Sequence, residues 1–272
     1  MTTYPPIDRL PQYRDPEIES LKTFYRINGV KFSRVTSALS VINKPALVPW
    51  ARNQAFEKVR ETWLDPQWSP SFDAAKTAES LGEWIDEFLE EAKRRANATK
   101  ETAAELGTQA HALIHRLLEG DASAAEEIPD ELRPAVHGAA QFLRDNGIQP
   151  AHTEFTVWSP DVGIAGTIDG VGWRNGNVVI WDWKRSKGIY PEMALQLGAY
   201  ARLFELTTGQ AVNEAWVVRL PQAMPENGAA LYEARQVSDI ADCWRNYTLA
   251  LNLQSALKID PWATTTQEAP HA

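Results

Sequence analysis

Residues 164–184 read IAGTIDGVGWRNGNVVIWDWK, and this stretch decides the fold. Two apolar runs flank Asn175-Gly176, and an Asn-Gly pair between such runs is the strongest short-range signal for a β-hairpin. The sequence therefore predicts two antiparallel strands, at residues 164–173 and 178–183, joined by a tight turn.

The turn fixes which residues face each other. With Asn175 and Gly176 at its centre, Asp169 falls opposite Asp182, on one face of the sheet and with Cβ atoms about 5 Å apart. Lys184, two residues after Asp182, points to the same face. Like charges in this position destabilise a hairpin, and a divalent cation removes the conflict because it binds carboxylate oxygens. The pattern predicts a metal site with a lysine beside it, provided that no bulge shifts the pairing.

Asp182-Trp183-Lys184 also has a purely structural interpretation, as a strand end with solvated charges. Asp-x-Lys alone is a common sequence, so the weight of the hypothesis rests on Gly166-Thr167-Ile168-Asp169 at the matched position of the other strand. A buried carboxylate pair would have raised pKa values without a metal ion and ordinary ionisation with one.

The remaining sequence predicts a mixed α/β domain with a helical N-terminal part. Residues 1–28, rich in proline and polar residues, are predicted to be an irregular arm, and residues 261–272 a disordered tail. Between them we expect one domain over residues 29–260, with a helical part at 29–100 and a catalytic core at 101–260. Helices are predicted at residues 45–63, 73–93, 102–118, 131–146, 191–206 and 238–257, and further strands at 153–157, 212–220 and 231–237.

Composition narrows the class of protein. The net charge of −9 argues, taken alone, against a nonspecific nucleic-acid binder, although basic clusters occur at residues 93–95 and 184–187. A single cysteine, Cys243, can form no internal disulfide and cannot supply the thiolates of an iron–sulfur cluster. With neither a signal peptide nor an apolar run of membrane-spanning length in view, we expect a cytoplasmic protein without a membrane partner.

Two helical segments add candidate residues. His111 and His115 lie one turn apart, a spacing that can bind a metal, although a structural role is the more common one for either histidine. Gln196 and Tyr200 have the same spacing on the helix after the hairpin, where ordinary helix surface is the alternative. Glu154, on the preceding strand, is equally open between a functional and a structural role.

In order and spacing, these motifs together resemble the RecB-type branch of the PD-(D/E)XK nuclease superfamily. The resemblance covers about residues 102–206 and rests on Gly107-Thr108-x-x-His111, Glu154, Gly166-Thr167-Ile168-Asp169-Gly170, Asp182-Trp183-Lys184 and Gln196-x-x-x-Tyr200. Residues 34–51 also look like the N-terminal region of phage-encoded exonucleases of this type. The departures are Asp182, where the family often has glutamate, and the lack of the cysteines found in CRISPR-associated relatives.

The resemblance implies a restriction-endonuclease-like core, a mixed sheet flanked by helices. It implies metal ligation by His111, Asp169 and Asp182, with Lys184 as the catalytic lysine. Our own mechanistic hypothesis adds the backbone carbonyl of Trp183 as a metal ligand. Gln196 and Tyr200 complete the catalytic set, and Glu154 is a candidate for supporting the ligands. Candidate DNA contacts are Lys93, Arg94, Arg95, Arg185 and Lys187.

The implied function is that of a Mg²⁺- or Mn²⁺-dependent deoxyribonuclease without an iron–sulfur cluster. It would hydrolyse linear duplex or single-stranded DNA from an end during phage or bacterial recombination, in the cytoplasm of a bacterium or a phage-infected host. A homo-oligomer or a partner recombination protein is a further expectation. The alternatives are a catalytically silent DNA-binding or assembly module with this fold, and an interaction domain whose motifs are coincidental.

Overall fold

The computed structural model describes residues 4–42, 47–66, 68, 78–126, 128–225 and 230–259. They form two compact units. The described parts of the first unit are residues 4–42, 142–219 and 233–259, and those of the second lie within residues 43–141 and 220–232. The second unit, which holds the long helices, continues past the predicted boundary at residue 100 to residue 141. The predicted tail at 261–272 lies outside the described residues.

The first unit contains a mixed sheet, in which eight strands are described. They are β1 (Ile18–Ser20), β2 (Phe24–Ile27), β3 (Val30–Arg34), β4 (Gln149–Ser159), β5 (Ile164–Arg174), β6 (Asn177–Lys184), β7 (Glu214–Arg219) and β8 (Glu233–Gln236). The path runs β1-β2-β3-β5-β6-β7-β8, and β4 pairs with β5 off this path. The β3–β5 and β6–β7 pairs are parallel and the others are antiparallel, so the mixed-sheet prediction is confirmed.

Seven α-helices are described. They are α1 (Val35–Ala38), α2 (Leu47–Leu64), α3 (Ala78–Leu118), α4 (Ser123–Glu126), α5 (Arg133–Asp145), α6 (Pro191–Thr208) and α7 (Ile240–Ala256). Proline at the first position of α6 and the left-handed Gly209 after its last are residues that favour a helix start and a helix end. In the described part of the chain, no helix combines the length and the apolar character needed to cross a membrane.

Helices α6 and α7 cover one face of the sheet of the first unit. The core there includes Ile168, Ile180, Leu203 and Tyr247, all fully buried. Gly198 permits the close approach of the two helices, because an added Cβ would lie 2.6 Å from the backbone nitrogen of Trp244. Packing of α6 therefore fixes the side chains that it presents to the sheet.

The N-terminal segment differs from the irregular arm that we predicted. Residues 18–20 and 24–27 are strands, and β2 and β3 are joined by Asn28 and Gly29, both with positive φ (50° and 78°). This is again an Asn-Gly turn between antiparallel strands, the same signal as in the central hairpin. The prediction failed because the strands are only three to five residues long and charged residues interrupt their apolar pattern.

The second unit corrects another prediction. Two separate helices were expected at residues 73–93 and 102–118, but α3 is one continuous helix of 41 residues. The intervening residues 94–101, RRANATKE, contain neither proline nor glycine, so nothing in them breaks a helix. Arg95 ties α3 to the end of α2 through an ion pair with Asp65, at 2.7 Å, and is itself held by Glu91 of α3, at 2.8 Å.

Candidate functional site

The central hairpin forms with the predicted turn. Asn175 and Gly176 both have positive φ, 51° and 84°, as a two-residue type I′ turn requires. Arg174 pairs with Asn177, and the pairing continues without a shift to Gly170 opposite Trp181. The predicted register is confirmed over these five pairs. Asp169 and Asp182 come next along the two strands, where the ladder ends.

At Asp169 the sheet divides into a fork. Strand β4 occupies one whole edge of β5, so β3 and β6 share the other edge. Strand β3 pairs with Ile164 and Ala165, and β6 pairs from Gly170 onward. In the described structure, residues 166–169 therefore have no ladder partner on that edge, and Asp169 lies where the strands separate.

Where the ladder between β5 and β6 ends, the carboxylate of Asp169 bonds to the main chain of β6 instead. Its Oδ2 accepts a hydrogen bond of 2.7 Å from the backbone N–H of Trp183. A carboxylate held by a main-chain donor in this way is fixed in orientation. This contact also places the Trp183 peptide, whose carbonyl was predicted as a metal ligand, beside Asp169.

Asp182 is buried and belongs to a network with α6. Its side chain forms an ion pair with Lys184. Its Oδ1 accepts a hydrogen bond of 3.1 Å from Nε2 of Gln196, and the same nitrogen lies 2.9 Å from the hydroxyl of Tyr200 as a donor. With only 3% of Asp182 exposed, its charge depends on these partners rather than on water.

The charges of the two aspartates act on Lys184 and Tyr200. Burial tends to lower the pKa of Lys184, but the carboxylates of Asp182 and Asp169 outweigh it, and the net pKa is raised. Burial and the same two carboxylates raise the pKa of Tyr200 well above its usual value. Lys184 is therefore an ammonium and Tyr200 a neutral phenol at neutral pH, so both can donate hydrogen bonds.

Glu154 joins the site from β4. Pairs on either side of it, Thr153 with Gly170 and Phe155 with Ile168, place Glu154 opposite Asp169. Its φ is +52°, and carboxylate oxygens of Glu154 and Asp169 lie within 4.8 Å of each other. A positive φ outside glycine costs of order 1–3 kcal/mol and clusters at functional sites. The structure thus brings this predicted supporting residue next to a predicted ligand.

The other predicted residues are placed less directly. His111 lies half-buried on α3 in the second unit, one turn before His115. Its part in the metal site stays a prediction. In the first unit, Arg185 is half-buried, with a pKa lowered by burial, whereas Lys187 is exposed.

The basic cluster on α3 is balanced by acidic residues. Lys93 forms an ion pair with Glu90, and Arg94 with Glu91, which also pairs with Arg95. These contacts reduce the positive charge that the cluster offers to a phosphate backbone. Its predicted contact with DNA remains a prediction.

The donor set of the fork fits a divalent metal ion. Glu154, Asp169 and Asp182 contribute three negative charges and Lys184 one positive charge, which leaves the two negative charges that one divalent cation neutralises. All of the side-chain donors are carboxylate oxygens, the ligands preferred by hard cations such as Mg²⁺ and Mn²⁺. Carboxylates with a lysine beside them, at a fork of a mixed sheet, have the donor chemistry of a metal-dependent hydrolytic site.

Comparison with known proteins identifies the family. Residues 56–269 match the family described as the PD-(D/E)XK nuclease superfamily, so the chain belongs to that superfamily. Its members use divalent metals. A comparison with curated proteins finds no significant match.

Two solved structures are similar to the chain. One is an alkaline exonuclease (LHK-Exo) from Laribacter hongkongensis, with 17% sequence identity and a TM-score of 0.32, where the match covers 47% of this chain and 66% of that one. The other is a protein designated SSO0001, with 19% identity and a TM-score of 0.27 over 43% of this chain and 56% of that one. The chain thus spans just under two thirds of the first structure and little more than half of the second.

Proposed function

We propose that this protein is a Mg²⁺- or Mn²⁺-dependent deoxyribonuclease that hydrolyses phosphodiester bonds from DNA ends. The observation that carries the proposal is the fork between β5 and β6. There, Asp169 and Asp182 lie beside Lys184, within reach of Gln196 and Tyr200 on α6. A purely structural strand end would leave these charges in water instead of gathering them around a buried carboxylate.

Each residue of the fork has a distinct part in the proposed reaction. Asp169, Asp182 and Glu154 would hold the metal ion, the resemblance adds His111, and the carbonyl of Trp183 is a further proposed ligand. When bound, such an ion supplies Lewis-acid polarisation of the phosphate and lowers the pKa of water.

The remaining groups position and stabilise. The ammonium of Lys184 would orient the attacking water and stabilise negative charge on the phosphate. Gln196 holds the carboxylate of Asp182 by a hydrogen bond, and Tyr200 supports Gln196 in turn. The Tyr200 hydroxyl accepts from Gln196, so its own proton remains available for a phosphate oxygen.

The biological setting follows from the resemblance and from charge. We propose a role in phage or bacterial DNA recombination, in the cytoplasm of the bacterium or infected host. Because the chain carries a net charge of −9, DNA is repelled at long range, and a homo-oligomer or a partner recombination protein would help to hold it. Arg185 and Lys187 lie one and three positions after Lys184 and are the proposed strand contacts nearest to it in the chain.

One cleavage experiment tests this function. End-labelled linear duplex, single-stranded DNA and closed circular plasmid are incubated with the protein in Mg²⁺, Mn²⁺ or EDTA, beside Lys184→Ala. Lys258→Ala, which removes an exposed lysine after α7, serves as the matched control. We expect the linear duplex, the single-stranded DNA or both to be degraded by the wild type and by Lys258→Ala when metal is present. Lys184→Ala should degrade neither, and EDTA should stop all cleavage.

The pattern of products separates the alternatives. Survival of the circle means an exonuclease, and the labelled end gives its polarity, whereas cutting of the circle means an endonuclease. Full cleavage by Lys184→Ala would refute the assigned mechanism. Binding of DNA without cleavage in any metal would instead support the catalytically silent module.

A further inference from the structure

A chain of hydroxyl groups crosses the sheet next to the fork. The Tyr25 hydroxyl on β2 lies 3.0 Å from Oγ1 of Thr167 on β5, and that oxygen lies 3.1 Å from Oγ1 of Thr156 on β4. Nη1 of Arg34 donates to the Tyr25 hydroxyl at 3.3 Å. Tyr25 and Thr156 are buried, so these hydrogen bonds are shielded from competition with water.

The position of Thr167 makes this chain informative. It lies within residues 166–169, the part of β5 that has no described ladder partner on the edge shared by β3 and β6. Thr156 is its cross-strand partner on the opposite edge. On the open edge, the contact with Tyr25 therefore supplies a tie that the ladder does not.

The anchor at the other end is firm. Nη2 of Arg34 donates to the hydroxyl of Ser20 at 2.8 Å, and its Nε donates to the carbonyl of Leu21 at 2.9 Å. The ring of Tyr25 lies 4.5 Å below the same guanidinium group. The three N-terminal strands thus hold the Tyr25 hydroxyl in place over β5.

From this arrangement we propose that Thr167 is a positioning residue of the metal site. Clamped between Tyr25 and Thr156, its hydroxyl fixes the backbone that presents Asp169 two residues later. The carboxylate of Asp169 then accepts from the N–H of Trp183 in one orientation and would present its other oxygen to a metal ion. Metal sites require such precision, of roughly 0.5 Å, from the residues that support their ligands. The proposal rests on the proposed function and deepens it.

The test replaces the hydroxyl without changing the shape. Thr167→Val removes both hydrogen bonds, Thr167→Ser restores them, and Tyr25→Phe removes the clamp from its other end. Mn²⁺ binding is measured by isothermal titration on the full chain, and kcat and KM are measured for cleavage of a linear duplex. We expect Thr167→Val and Tyr25→Phe to bind Mn²⁺ about tenfold more weakly and to lower kcat with little change in KM.

A matched control separates positioning from general loosening. Thr207 is fully buried in the same unit, and its hydroxyl donates to the carbonyl of Trp158 at 3.4 Å. Thr207→Val also deletes a buried hydroxyl group, but it lies away from Thr167 in the sequence and outside the hydroxyl chain. It should retain wild-type Mn²⁺ affinity, and Thr167→Ser should approach the wild type.

The outcomes are distinguishable. If the wild type binds Mn²⁺ and cleaves DNA while Thr167→Val and Tyr25→Phe do so equally well, the positioning role is refuted and the proposed function stands. An equal loss in Thr207→Val would refute the positioning role as well. A wild type that neither binds Mn²⁺ nor cleaves DNA would overturn the proposed function and the positioning role together.

Discussion

Replacing Gly166 with alanine should damage the site more than it damages the fold. An added Cβ would lie 2.4 Å from Cε1 of Tyr200 and 3.2 Å from Cγ2 of Val35, whereas ordinary contacts begin at 3.4 Å. The Tyr200 ring would have to retreat by about 1 Å, although it is only 5% exposed and packed in the core. Overpacking of this kind costs about 1–3 kcal/mol of unfolding free energy.

The retreat of Tyr200 would reach the catalytic residues. Its hydroxyl is 2.9 Å from Nε2 of Gln196, which in turn holds Asp182, so a shift of about 1 Å breaks the chain of hydrogen bonds. A misplacement of that size costs roughly 10²-fold in rate. Urea unfolding followed by tryptophan fluorescence measures the stability, and cleavage of a linear duplex measures the rate.

Two companion variants make the prediction specific. Gly82 is exposed on α3 with no atom near an added Cβ, so Gly82→Ala should stabilise the chain by about 0.5–1 kcal/mol. Combining Gly166→Ala with Tyr200→Ala removes the clash, and the alanine at position 166 should then cost much less stability than in the wild type. Wild-type stability and rate in Gly166→Ala would refute the assigned packing.

Three further predictions follow from the same contacts. Mn²⁺ at 100 times its dissociation constant should stabilise the wild type by about 2.7 kcal/mol in thermal unfolding, and Asp182→Asn should lose both this stabilisation and cleavage. If Mn²⁺ stabilised Asp182→Asn as much as the wild type, the assignment of Asp182 as a ligand would be contradicted. The pKa of Lys184 is raised in the folded protein, so in EDTA its contribution to stability is complete below its unfolded pKa of 10.5 and is lost as pH rises through its folded pKa. The difference in unfolding free energy between the wild type and Lys184→Met should therefore be constant from about pH 7 to 9 and shrink only above that range. Gly198→Ala should lower the unfolding free energy by about 1–3 kcal/mol, because the added Cβ would lie 2.6 Å from the backbone nitrogen of Trp244. A urea midpoint equal to that of the wild type would show that α6 and α7 do not cross so closely.

Local sequence was sufficient for the hairpin and its register. The turn at Asn175-Gly176 requires positive φ at two successive residues, and this pair adopts it readily. Once the turn is fixed, strand geometry determines the position of Asp182 and Lys184 relative to Asp169. Helix α6 was predicted from the proline at its start and from its apolar pattern. Gln196 and Tyr200 lie one turn apart on that helix, as the sequence predicts.

Other elements could have been predicted from local signals but were not. Asn28-Gly29 carries the same turn signal as the central hairpin, yet the flanking strands are short and partly charged. The region of α3 was predicted as two helices, although no helix-breaking residue occurs between residues 94 and 101. In the first case the turn residues, and in the second the absence of helix breakers, were better predictors than the pattern of apolar residues.

The sequence by itself determined the hairpin, its register and the residue types of the site. Only the tertiary structure decided the fork, the meeting of Glu154 with Asp169, the packing of Tyr200 on Gly166 and the clamp on Thr167. Tyr25 and Thr167 are 142 positions apart, and no local pattern links them. Contacts of this kind depend on β3 and β6 pairing with different parts of one edge of β5, an arrangement that the packing of the whole unit makes and no segment makes alone.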